Sequence, residues 1–182
     1  MKKIAILSLT TFSLIGLSGC EMINSLLQKD EGIKYEGFVN EFRNVVNTEY
    51  VRATETDATV APETHRDYIY NKETHWWVYT MQVTVEGVTA DVPVQKHFEA
   101  YYYAMELKET ADKGSKDVDS VWKFSKNEDG TFTISAISDD AANQLEIKFR
   151  SNGLMDSMKG HVETREGSAS VSYVYNYHKS LV

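Results

Sequence analysis

Residues 120–149 read SVWKFSKNEDGTFTISAISDDAANQLEIKF, and their periodicity decides the fold. Trp122 and Phe124 share one side of an alternating segment, and Asn127-Glu128-Asp129-Gly130 is a hairpin signal, rich in residues that tolerate a tight turn. Phe132, Ile134 and Ala136 answer from the returning strand. After a second turn over Ser138 to Asn143, Leu145, Ile147 and Phe149 alternate with Glu146, Lys148 and Arg150. A period of two puts apolar side chains on one face of a sheet and polar ones in water.

The same period extends outward in both directions. Downstream, Asn152-Gly153 predicts a type I′ turn into a strand over Leu154 to Val162, and Glu166-Gly167 turns into a last strand carrying Val171, Tyr173, Tyr175 and Tyr177. Upstream, Thr48 to Val60 is rich in threonine and predicts an exposed strand, and Asp67 to Tyr70 a short one stopped by Asn71-Lys72-Glu73. Trp77, Tyr79, Met81, Val83 and Val85 are expected to face the core, with Thr80, Gln82 and Thr84 in water. The chain then turns at Glu86-Gly87 or Ala90-Asp91. His97 to Leu107, with Tyr101-Tyr102-Tyr103, predicts another strand, and the charged segment Glu109 to Asp119 a loop. Tyr35 to Tyr50 has helical spacing over the longest stretch and predicts the one helix of the domain, with Phe38, Phe42, Val45 and Val46 on one face.

These elements predict a mainly β (α+β) domain: one N-terminal helix, then an antiparallel meander of about eight or nine strands. So many hairpins must protect their edges, either by closing into a barrel or by curving around the helix.

The N-terminus has a different character. Lys2 and Lys3 precede an apolar run from Ile4 to Leu17, about 14 residues long. That is short of the ~20 a spanning helix needs and suits the core of a signal peptide. Leu17-Ser18-Gly19-Cys20 follows, an aliphatic residue and two small ones before a cysteine. This resembles the lipobox of bacterial lipoproteins. The resemblance implies cleavage before Cys20, diacylglyceryl transfer to its thiol, and a protein held on the outer side of the cell membrane or on the outer membrane. The expected organisation is a signal peptide over 1–19, a lipidated cysteine and tether over 20–34, and one domain over 35–182. Met22, Ile23, Leu26 and Leu27 in the tether fit either a short amphipathic turn or a plain flexible spacer. The order of helix then meander is similar to the half-barrels of LolA-like lipoproteins, a likeness of element order with no residue motif behind it.

Charge and composition narrow the functions. The chain has 19 basic and 27 acidic residues, a net charge of −8, which becomes −10 without Lys2 and Lys3. Nucleic-acid binding needs clustered Lys and Arg, so no nucleic acid is expected as a partner. An acidic domain also does not adhere to anionic lipid, so membrane attachment falls to the acyl chains on Cys20. Cys20 is the only cysteine, which excludes an internal disulfide and a cysteine metal site.

No chemistry-bearing motif stands out. His65, His75, His97, His161 and His178 show no metal-ligand spacing, and His75 and His97 are expected at opposite ends of their strands. Asp112, Asp117, Asp119 and Asp139, Asp140 lack the calcium-loop pattern and read as solvated loops. There is no nucleophile elbow and no phosphate loop. The expectation is therefore a non-enzyme with no cofactor and no metal. Eleven tyrosines and three tryptophans are the feature with a functional edge. Such rings fill β cores, and they also make ligand or partner surfaces. Trp76 and Tyr102, out of phase with the core set, are the candidate surface residues. The function expected is a lipid-anchored binding module for a protein or apolar ligand. The alternatives are a lipid or lipoprotein carrier with an apolar cavity, and a hydrolase with a spatially assembled site.

Overall fold

The computed structural model describes residues 32–138, 144–164 and 167–181, without the side chains of 162–164. Cys20, most of the tether, Asp139, Asp140 and Glu166 lie outside the described residues.

The domain is mainly β. In chain order it comprises α1 (Tyr35–Phe42), β1 (Arg52–Asp57), β2 (Thr64–Tyr70), β3 (Trp77–Val85), β4 (Val88–Lys96), α2 (Ala100–Lys113), α3 (Val118–Val121), β5 (Trp122–Lys126), β6 (Phe132–Ala136), β7 (Leu145–Phe149), β8 (Met155–Thr164) and β9 (Gly167–His178). All nine strands form one antiparallel sheet in the order β4-β3-β2-β1-β9-β8-β7-β6-β5. The edges β4 and β5 do not pair, so the sheet is open rather than a closed barrel. Two meanders, β1 to β4 and β5 to β9, join where β1 pairs with β9, from Arg52 opposite His178 to Asp57 opposite Tyr173.

Helix α2 connects the two edges and corrects the strand expected over His97 to Leu107. The tyrosine run has strand propensity, but Ala100, Ala104, Leu107 and Ala111 recur at helical spacing and are all buried. Three of these four are alanines, so the helix is buried along a stripe of small residues. Lys108–Asp112 and Lys113–Glu109 pairs, each one turn apart, support its outer side. The ninth strand comes instead from β4, where Val88, Ala90, Val92 and Val94 alternate with Thr89, Asp91, Pro93 and Gln95. The turn before it is at Glu86-Gly87, where both φ values are positive (51° and 83°), the geometry of a type I′ hairpin.

The expected type I′ turn at Asn152-Gly153 has another form. Gly153 N–H donates to Arg150 carbonyl at 2.8 Å, Gly153 has φ 79°, and Asn152 is not left-handed. A Cβ on Gly153 would stand 2.8 Å from Phe42 Cδ1, so glycine is required for both backbone shape and space.

Helix α1 is shorter than expected. It ends at Phe42, leaving Val45 and Val46 38% and 55% exposed. Its buried face carries Tyr35, Phe38, Val39 and Phe42. Phe38 packs against Phe124, Phe132 and Phe149 with centroids 5.1–6.2 Å apart. Along the other half of the sheet, Phe98 packs on Tyr68, Trp77 and Tyr175. The helices thus fill one face of the sheet. Met81 and Val83 of β3 are only half-buried and Val85 is exposed, because the β3–β4 hairpin runs past that cover.

Candidate functional site

Four rings form a column at the end of the sheet where β2 turns into β3 and α2 begins. Trp76 stacks on His97 (centroids 3.7 Å, planes 18° apart), His97 on Tyr102 (5.1 Å, 23°), and Tyr102 on His75 (4.6 Å, 21°). Trp76 and Tyr102, the two candidates from the sequence, therefore lie on opposite faces of one imidazole. All but His97 are half-buried, so the column stands at the rim of the core. Tyr102 reaches this place from α2, not from a strand as expected.

The positions of His75 and His97 correct the expectation that they lie apart. His97 Nδ1 is 3.1 Å from the His75 carbonyl oxygen. A carbonyl only accepts, so the Nδ1 proton is fixed and the neutral ring leaves Nε2 as an acceptor. Nε2 stands 3.9 Å from Glu106 Oε1, too far for a direct hydrogen bond. Burial pushes the His97 pKa down, and burial with the like charge of Glu109 pushes Glu106 up to about 7. His75 has φ 60°, uncommon for a side chain of its size, and its Nδ1 lies 2.9 Å from Tyr70 Oη.

Glu99 lies beneath the column. It is buried immediately before α2, and its Oε2 accepts from Trp77 Nε1 at 3.0 Å. Burial raises its pKa, against the lowering effect of the Tyr70 hydroxyl and the Trp77 indole. The Tyr70 hydroxyl thus sits between Glu99 and His75, and burial followed by the Glu99 charge raises its own pKa.

A second polar cluster was not legible in the sequence. Glu55 is completely buried on β1. Its carboxylate accepts from Arg66 Nη1 at 2.9 Å, Lys96 Nζ at 2.8 Å, Tyr175 Oη at 3.1 Å and Tyr68 Oη at 3.4 Å. Lys96 Nζ also stands 5.5 Å from the ring centroids of Tyr68 and Tyr173. The exposed strand expected over Thr48 to Val60 instead buries Ala53, Glu55 and Asp57 on alternate positions. That alternation was present in the sequence, with two acids in the inward phase. The acidic loop residues have local roles: Asp112 pairs with Lys108, Asp117 accepts from Asp119 N–H, and Asp119 accepts from Tyr35 N–H.

Hollows among the described residues include two that differ in character. One of about 130 Å³ lies between the end of α1 and the start of α2, lined in part by Phe42, Tyr50, Glu99, Tyr101 and Leu154. The other, about 940 Å³ and open to solvent, runs over the polar residues of β5–β7, among them Lys123, Thr133 and Glu146. No histidine lines either one. Among the described residues no three His, Cys, Asp or Glu side chains are grouped to hold a metal ion. The ring column can offer stacking surface, one oriented imidazole acceptor and a carboxyl group that titrates near neutrality. No protein-family model matches the chain, and no curated protein matches it either.

Proposed function

We propose that this chain is a non-enzymatic binding module, held on the outer side of a bacterial membrane by lipid on Cys20, that works through its surface rather than through an internal cavity. The observation that carries this reading is the filled space between helices and sheet. Trp77, Tyr68, Tyr175, Phe98, Phe124, Phe149 and Phe38 meet there with 0–1% exposure. A carrier of acyl chains needs that same space open, since pockets for such ligands enclose several hundred Å³. What remains for a partner is the rim, with Trp76 and Tyr102 about His97, and the exposed backbone of the sheet. Aromatic side chains give contact area at low entropic cost.

The anchor and the filled core can be tested together on protein extracted from membranes. Palmitate labelling should tag the wild type and not Cys20→Ser. Native mass spectrometry should show the acylated polypeptide without a further apolar ligand. Equal labelling of both proteins would remove the anchor, and a stoichiometric extra lipid would replace the module by a carrier.

A further inference from the structure

The β3–β4 hairpin is joined to the rest of the sheet by only two residue pairs, Ile69–Val78 and Tyr70–Trp77, whereas all nine residues of β3 pair with β4. From Tyr79 onward, β3 therefore has an unpaired edge, and so does β2 below Ile69.

The pairing pattern identifies which groups are free. In an antiparallel ladder, opposed residues alternate between pairs that exchange two hydrogen bonds and pairs that exchange none. Pro93 has no N–H, so its pair with Thr80 must be of the second kind. Val85 and Val88 flank the two-residue turn as a bonded pair, which sets the same phase. Thr80, Gln82 and Thr84 consequently turn their N–H and C=O groups away from β4. On the facing strand, Asn71 N–H donates to Trp76 carbonyl, and stepping back along β2 places the outward groups on Asp67 and His65. The outer edge of β4 is different: Pro93 removes a donor from its middle, a device that blunts edges against pairing.

Free backbone groups at the two-residue repeat are complementary to one kind of ligand, an extended polypeptide. Charge selects among such segments. Glu63, Asp67, Glu86 and Asp91 are exposed around this edge, and none of them has an ion-pair partner among the described residues. The nearby cations Arg66 and Lys96 are both held by Glu55. A second copy of the chain would bring the same acids to the edge and be repelled. Tyr79, Met81 and Val83, half-buried on one side of β3, offer an apolar strip to alternate side chains.

We infer that the edge of β3 formed by Thr80, Gln82 and Thr84 takes up an extended segment of a partner protein in which apolar residues alternate with Lys or Arg. This deepens the binding-module reading and names the chemistry of its partner.

The probe is a synthetic decapeptide of alternating lysine and valine, with a glutamate–valine peptide as its counterpart. Both are added to the full chain in dodecyl maltoside micelles while amide exchange is followed residue by residue. The lysine peptide should slow exchange at Thr80, Gln82 and Thr84 at least about tenfold, and the glutamate peptide should not. Gln82→Pro removes only an outward donor of β3 and should abolish the protection. Thr89→Pro makes the equivalent change on the outer edge of β4 and should leave it intact. Absence of protection, equal protection by both peptides, or sensitivity to Thr89→Pro alone overturns the inference. A bound apolar ligand in native mass spectrometry would count against the module itself, so the two failures are separate readouts.

Discussion

At the scale of single residues, buried carboxylates govern how stability depends on pH. Glu99 has almost no exposed surface, and burial raises its pKa above the ordinary 4.5. A raised folded-state pKa means that its contribution is complete below the unfolded value and is lost as pH rises through the folded one. Glu99→Gln keeps an acceptor for Trp77 Nε1 and removes the charge. Urea unfolding of the two proteins should therefore diverge from pH 4 to pH 8, the variant becoming relatively more stable as pH rises. A constant difference would show that the Glu99 charge is not what burial penalises. Glu55, the other buried glutamate, has Arg66 and Lys96 within 3 Å of its carboxylate. At this scale the sequence conveyed part of the site. Trp76 and Tyr102 were recognisable by being out of phase, but their meeting about His97 depends on α2, which local propensity at Tyr101-Tyr102-Tyr103 concealed.

At the scale of elements, the hairpins were readable wherever turn residues and alternation agreed, as in β5 through β7. Two misreadings and one undecided turn share one physical origin, competition between local signals. The tyrosine run outweighed the alanine stripe of α2, Ala90-Asp91 competed with Glu86-Gly87 as a turn, and the threonines of β1 masked its inward acids. The β3–β4 hairpin is an element of another sort, because most of it adds little burial to the domain. Replacing Gln82–Asp91 by Asn-Gly keeps Met81 and Val92 as the closing pair. The shortened protein should keep its circular dichroism and lose no more than about 0.5 kcal/mol in urea unfolding, the range of surface changes. A larger loss would place the arm in the cooperative core. The strands of an isolated hairpin are marginal in water, so a long projecting one is itself a reason to look for a partner.

At the scale of the whole molecule, a mainly β meander of about eight or nine strands was foreseeable from the number of alternating segments, but whether the sheet closes and the order of its strands were not. Strand order depends on which edge the C-terminal strand seeks, and β9 pairs with both β8 and β1. Its side chains Tyr175 and Tyr177 reach Glu55, Trp77 and Arg150, so each half of the core needs the other. The two meanders should unfold as a unit, with far-UV circular dichroism and tryptophan fluorescence changing together in urea. Refolding should take milliseconds to seconds, as expected for pairings this distant in sequence. Two separated transitions would show that the halves are independent domains.

The β1–β9 junction also imposes a timetable on biogenesis. Because β1 finds its second neighbour only in residues 173–178, a chain made from its N-terminus has its first meander without the strand that completes the middle of the sheet until those residues emerge. Until then β1 is an open edge of an incomplete sheet, the kind of surface on which partly made chains misassemble.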